Sequence, residues 1–262
     1  MESAGRKALQ EDFAVGRKRK MFDVVTSLGY NCEISFRLEN YFGSINAMPF
    51  SWSFVLEREK FPQVLDNIDR LFADEVELLE DNMILCKNYN IKFHPRYDIL
   101  LKDGAPTEES TRMAVEELQQ RVSHLKEKWK ELVKSQKETI FLMKVENMGE
   151  MANLKYIQAV YQVLQEKYIS KKFVLIVLME REAATEKIRG LETEKLKVRT
   201  LKRFAPKKHT DTMGDVWGWW RILNELTGKK NWKYFGRLWK KRMSWFVAVV
   251  KKYLRIGRSG WH

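Results

Sequence analysis

Apolar and polar positions recur along this chain with two periods, about 2 and about 3.6, and the switches between them mark the elements. Phe22-Asp23-Val24-Val25-Thr26-Ser27 is rich in β-branched residues. It ends at Leu28-Gly29-Tyr30-Asn31-Cys32, after which Ile34, Phe36, Leu38 and Tyr41 mark a short helix. The first unit therefore reads strand, tight turn, helix, with Cys32 at the helix start. Residues 47–56 form an aromatic-rich connection punctuated by Pro49. Phe61-Pro62 opens a helix expected to run through Leu65, Ile68, Leu71 and Phe72. Met83–Cys86 and Asn90–Phe93 read as a hairpin of two short strands.

The second half alternates more regularly. Thr107 to about Gln136 is the longest helix candidate, with Leu118, Val122, Leu125, Trp129 and Leu132 on one face. Thr139–Lys144 reads as a strand, and Met151, Leu154, Ile157, Tyr161, Leu164 and Tyr168 as the stripe of an amphipathic helix. Phe173–Met179 is continuously apolar, as a strand covered on both faces must be. A polar segment with Gly190 leads to a weaker strand at Leu196–Phe204, and a helix from about Asp215 stops at Gly228. This order predicts an α/β fold, a three-layer sandwich with a mostly parallel sheet and helices on both faces.

Composition changes the picture mainly through charge. The 262 residues carry 48 Lys and Arg against 35 Asp and Glu, a net charge of +13. Eleven of those basic residues, and no acidic one, fall in residues 228–262, and residues 1–20 carry a net +3. The division is therefore a basic arm (1–20), a nearly neutral α/β domain (21–227) and a basic C-terminal segment (228–262). Two cysteines, Cys32 and Cys86, exclude a disulfide scaffold, and four scattered histidines leave no metal cage. No cofactor is expected. No apolar run is long enough to span a bilayer, and the N-terminus lacks the apolar core of a secretory signal. A cytoplasmic protein, peripheral at the membrane through its tail, is the expected placement.

The turn before Cys32 is suited to a reactive group. Unpaired N–H groups and the dipole at a helix start favour an anion, lowering a thiol's pKa. The amides around Gly29 and Asn31 could also hold an oxyanion. His94, closing the second hairpin strand ahead of Pro95, is the candidate base; Asp98, Glu146 or Asn147 could orient its ring. Ser27 as nucleophile and His209 as base are alternatives. So is a bland pairing of a buried packing thiol with a structural histidine. Cys86 is assigned to packing.

Four strings carry a resemblance: Ser27-Leu28-Gly29-Tyr30-Asn31-Cys32, Pro49-Phe50-Ser51-Trp52, Phe93-His94 and Trp220-Arg221-Ile222-Leu223. Over about residues 21–227 the chain resembles an uncharacterised family labelled papain-like cysteine peptidases. That resemblance implies Cys32 as nucleophile, His94 as base and a papain-like α+β fold as the alternative architecture. Ser51 and Pro95 depart from it, since the family usually has Asp at both places. The implied function is thiol-dependent hydrolysis or acyl transfer on a peptide, ester or amide. The rival is a non-catalytic or glycan-related module that docks on a membrane or partner.

In the tail, Trp232, Phe235, Trp239, Met243, Phe246, Val250 and Tyr253 recur at helical spacing and form an apolar stripe. Lys233, Arg237, Lys240, Lys241 and Arg242 supply positive charge along the same helix. An anionic membrane surface fits this pattern. Nucleic acid fits less well, because the aromatics are segregated from the basic groups. The third possibility is a terminal helix that packs its stripe on the domain. Trp217, Trp219 and Trp220 are expected in the core, with a sugar- or base-stacking platform as the alternative.

Overall fold

In a computed structural model, residues 22–73, 75–102, 104–168, 172–206 and 213–258 are described. The arm 1–20, His209 and the side chains of Val250 and Tyr253 lie outside the described set.

The parallel sheet is built from β1 (Val24–Ser27), β6 (Thr139–Lys144), β7 (Phe173–Glu180) and β8 (Leu196–Leu201), in that spatial order. Every pairing is parallel, with Val24 opposite Thr139, Thr139 opposite Phe173 and Leu175 opposite Leu196. All six positions of β6 are buried, which is why its sequence shows no polar alternation. Successive side chains nonetheless part to opposite faces. Phe141, Leu175 and Val177 pack with Trp129, Leu132, Ile157 and Leu164 of α4 (Glu108–Lys134) and α5 (Glu150–Lys167). Ile140, Leu142, Ile176 and Leu178 pack instead with Ile34 and Leu38 of α1 (Glu33–Phe42). Trp219 and Ile222 of α7 (Val216–Thr227) and Tyr234 of α8 (Lys233–Arg258) complete that second layer. The expected helix–sheet–helix sandwich is therefore present.

A second, antiparallel sheet has the order β2-β5-β4-β3, from β2 (Ser53–Val55), β3 (Val76–Leu78), β4 (Ile84–Cys86) and β5 (Ile91–Phe93). The β4–β5 hairpin turns through Asn90 in the left-handed region (φ 47°). The sequence pattern does not reveal β2 and β3, because three residues are too few to establish a period. The helix expected from Phe61 to Phe72 is shorter. As α2 it ends at Asp66; Asn67 leaves the helical region, a 3-10 turn covers Ile68–Arg70, and Leu71 is extended. Packing decides this break, since Phe72 turns in against Phe93 with ring centroids 4.9 Å apart. Two short helices, α3 (Tyr97–Leu100) and α6 (Glu186–Arg189), complete the fold. Thr107 and Ser110 cap α4 reciprocally, and Asp215 caps α7.

Candidate functional site

Between β1 and α1 the chain makes an elbow of two successive left-handed residues, Gly29 (φ 88°) and Tyr30 (φ 82°). A Cβ on Gly29 would lie 3.1 Å from Ser53 Oγ and 3.3 Å from the Phe50 carbonyl oxygen, so glycine is required for closeness as well as for angle. Tyr30 has no such licence; a left-handed tyrosine costs about 1–2 kcal/mol. Its side chain is held in compensation. The hydroxyl donates to Glu146, and the Arg58 guanidinium lies 4.4 Å from the ring centroid. Burial and Glu146 push the Tyr30 hydroxyl up to about 12. Ser27 Oγ accepts from Gly29 N–H at 3.0 Å, and Asn31 Oδ1 accepts from Glu33 N–H at 3.0 Å. These bonds stabilise the elbow and occupy the Gly29 amide expected for an oxyanion.

Cys32 is 2% exposed, and burial pushes its thiol up to about 12. Desolvation of a thiolate thus opposes the acidification expected of a helix start. His94 is half-buried at the end of β5, edge-on to Phe54, and its Nδ1 is 2.9 Å from the Tyr97 hydroxyl. Burial lowers its pKa; the Arg121 charge adds to this and Asp81 opposes it. Burial raises the Tyr97 hydroxyl, with Asp81 and then Cys32 as smaller influences. Among the described residues no hydrogen bond joins Cys32 to His94.

The other sequence candidates are occupied elsewhere. Asp98 pairs with Arg96 and is exposed, so the carboxylate expected to orient His94 is turned to a neighbour two residues away. Asn147 is exposed and accepts from Gly149 N–H at 3.0 Å, turning the chain into α5. Ser51 Oγ accepts from Met48 N–H at 2.9 Å, a turn-capping role. A cavity of about 290 Å³ beside the imidazole is lined by Pro49, Trp52, His94, Arg121 and Leu125.

Sequence reasoning missed a buried ionic cluster at the C-terminal end of the parallel sheet. Lys144, the last residue of β6 and 1% exposed, sets its Nζ 3.0 Å from Glu33 Oε2 and 3.3 Å from Glu146 Oε1. Glu33, fully buried, accepts at Oε1 from Trp219 Nε1 and Ala205 N–H, each at 3.1 Å. The Phe204 ring centroid lies 4.1 Å from Lys144 Nζ. Arg58 donates to the Glu146 carbonyl at 3.0 Å. The available signal was slight: a lysine ending an apolar strand, and a glutamate directly after Cys32.

The C-terminal helix shows two faces. Tyr234 and Leu238 are buried against the domain, and Arg237 donates to the carbonyls of Asn40 and Tyr41 at 3.0 and 2.9 Å. Lys241 pairs with Glu39. Arg237 and Lys241, read from sequence as polyanion contacts, are therefore spent on α1. Trp232, Trp239, Met243, Phe246 and Val247 are exposed, with Trp239 at 66%. Lys233, Lys240 and Arg242 are exposed beside them. Of the tryptophans expected in the core, Trp219 is fully buried, whereas Trp217 is 63% exposed. Trp217 contacts Phe235 at 4.4 Å and Trp220 contacts Trp232 at 4.6 Å between ring centroids, making an aromatic ledge between α7 and α8.

Among the described residues, no group of three His, Cys, Asp or Glu side chains could hold a metal ion, and no helix is long and apolar enough to cross a membrane. Comparison with protein-family models, with curated proteins and with solved structures finds no match.

Proposed function

We propose that the protein is a peripheral α/β module that docks on anionic membrane surfaces through α8. One observation carries the reading: α8 is fastened to the domain by Tyr234, Arg237, Leu238 and Lys241, while Trp232, Trp239, Met243 and Phe246 of its aromatic stripe are exposed. An apolar stripe that packed on its own domain would be covered. This one is exposed, carries tryptophan, and lies in a segment with eleven basic and no acidic residues. Tryptophan at headgroup depth and Lys/Arg near anionic lipid are the two forces that hold interfacial helices.

Removing α8 would uncover Tyr41 and the other residues under Tyr234, so the test uses point substitutions on the exposed stripe. Trp239→Ser with Phe246→Ser is expected to weaken sedimentation with phosphatidylserine-containing vesicles about a hundredfold, at roughly 1.5 kcal/mol for each immersed side chain, with the melting temperature unchanged. Vesicle binding that is absent in the wild type, or unaltered in the double variant, overturns the reading. Salt-sensitive retention on duplex DNA by both proteins would assign the charge to nucleic acid instead.

A second reading, thiol-dependent hydrolysis or acyl transfer at Cys32 and His94, has one observation in its favour. The strained elbow of Gly29 and Tyr30 delivers Cys32 to the start of α1. Against it stands the thiol's pKa near 12. The two separate cleanly in a pH-titrated alkylation. With the thiol as buried as it is here, Cys32 in the folded protein is expected to react more slowly than a free thiol at pH 8, and His94→Ala is expected to leave that rate alone. Fast labelling below pH 7 that His94→Ala abolishes would establish the nucleophile.

A further inference from the structure

Where β8 ends, Lys202 and Arg203 turn toward α8 and border a cleft of about 550 Å³. Its other walls include Trp217 at the start of α7, and Phe235, Trp239 and Arg242 of α8. The volume lies within the range of small-ligand sites. Lys202 and Arg203 are exposed, and neither is paired with a carboxylate among the described residues. Among the described residues, Asp215 is the one acidic side chain in the lining. Its two oxygens are taken by main-chain amides, Oδ1 by Gly218 at 2.8 Å and Oδ2 by Lys202 at 2.7 Å. Gly214 holds the wall tight: with φ 91°, its chain passes so near Ala205 that a Cβ would lie 2.8 Å from the Ala205 nitrogen. Behind it the fully buried Arg37 donates to the carbonyl of Met213. The cleft is thus a rigid, cationic, aromatic-walled recess, and Trp239 belongs both to it and to the exposed stripe of α8.

We propose that this cleft is a headgroup site that takes the phosphate monoester of a membrane lipid, drawn from the bilayer on which the stripe rests. The proposal rests on the docking reading above and adds selectivity to it. Guanidinium groups match phosphate oxygens in bidentate geometry, and a monoester offers more charge and more acceptor oxygens than the diester of an ordinary anionic lipid. Trp217 and Trp239 would flank the headgroup at interfacial depth.

The test compares full-length protein on phosphatidate vesicles and on phosphatidylserine vesicles matched in surface potential. Wild type is expected to prefer phosphatidate roughly tenfold. Lys202→Ala with Arg203→Ala should bring that ratio to about one. Lys229→Ala with Lys230→Ala, an equal loss of charge outside the cleft, should lower binding to both vesicles and keep the ratio. Equal binding of wild type to both lipids overturns the headgroup site and leaves membrane docking standing. A preference retained by the Lys202/Arg203 variant also overturns it. Absence of binding to either vesicle overturns both readings. A third arm titrates inorganic phosphate without lipid; saturable binding there, with no lipid preference, would assign the cleft to a soluble phosphate and overturn the lipid assignment.

Discussion

Lys144→Met is expected to destabilise the folded protein by about 3–5 kcal/mol, the usual cost of leaving one partner of a buried ion pair behind. In a chain of this size that lowers the melting temperature by about 6–20 °C. The reason lies in what remains. Glu33 keeps the Trp219 and Ala205 N–H groups on Oε1, with the buried Arg37 guanidinium 3.9 Å away, but loses the ammonium hydrogen-bonded to Oε2, and it is fully buried. Glu146 loses the same ammonium but is partly exposed and keeps Arg58 and Tyr30. Adding Glu33→Gln removes the carboxylate charge that has lost its ammonium, at the cost of its pairing with Arg37, while its carbonyl still accepts both N–H groups. The double variant should therefore be less destabilised than the two single changes summed, by a coupling of about 1–3 kcal/mol. Thermal and urea unfolding of all four proteins measures this. A Lys144→Met protein within 1 kcal/mol of wild type would mean that the ammonium contributes nothing to the end of the sheet.

Trp129→Ala is expected to cost a similar amount, about 3–5 kcal/mol, by a different mechanism. Trp129 is 1% exposed and lies where the two sheets' hydrophobic surfaces meet under α4. Its ring centroid is 5.9 Å from that of Phe50, beside the elbow, and 5.7 Å from that of Phe141, on β6. Truncation leaves a void between the turn at Phe50 and β6, which cannot collapse together easily. Trp129→Phe should cost markedly less, since it keeps an aromatic ring in most of the volume. If urea unfolding shows equal losses for alanine and phenylalanine, packing volume is not what this tryptophan supplies.

The architecture was readable wherever the pattern was long. Phe173–Met179 could only be a strand covered on both faces, and the alternation from Thr139 to Gly228 led to a parallel sheet with helices around it. Short elements were not readable: Ser53–Val55 and Val76–Leu78 are strands because β5 and β4 pair with them, not because three residues declare a period. The break after Asp66 belongs to the same class, as Phe72 turns into the core against a partner some twenty residues away.

For the sites, residue type and order singled out the elbow at Gly29, the thiol at Cys32, the imidazole at His94 and the cationic aromatic tail. Those inferences rest on local chemistry, which a chain carries with it before it folds. What Cys32 experiences is a different matter, because desolvation depends on every group packed around it, and burial drives the thiol upward where the local helix start alone would draw it down. Long-range packing also joined Glu33 to Lys144 across 111 positions and gave Arg237 and Lys241 to α1. It left Trp232, Trp239, Met243 and Phe246 of the stripe exposed. Periodicity reveals that a helix has an apolar face; only the tertiary structure decides whether that face is covered, because the covering residues lie elsewhere in the chain.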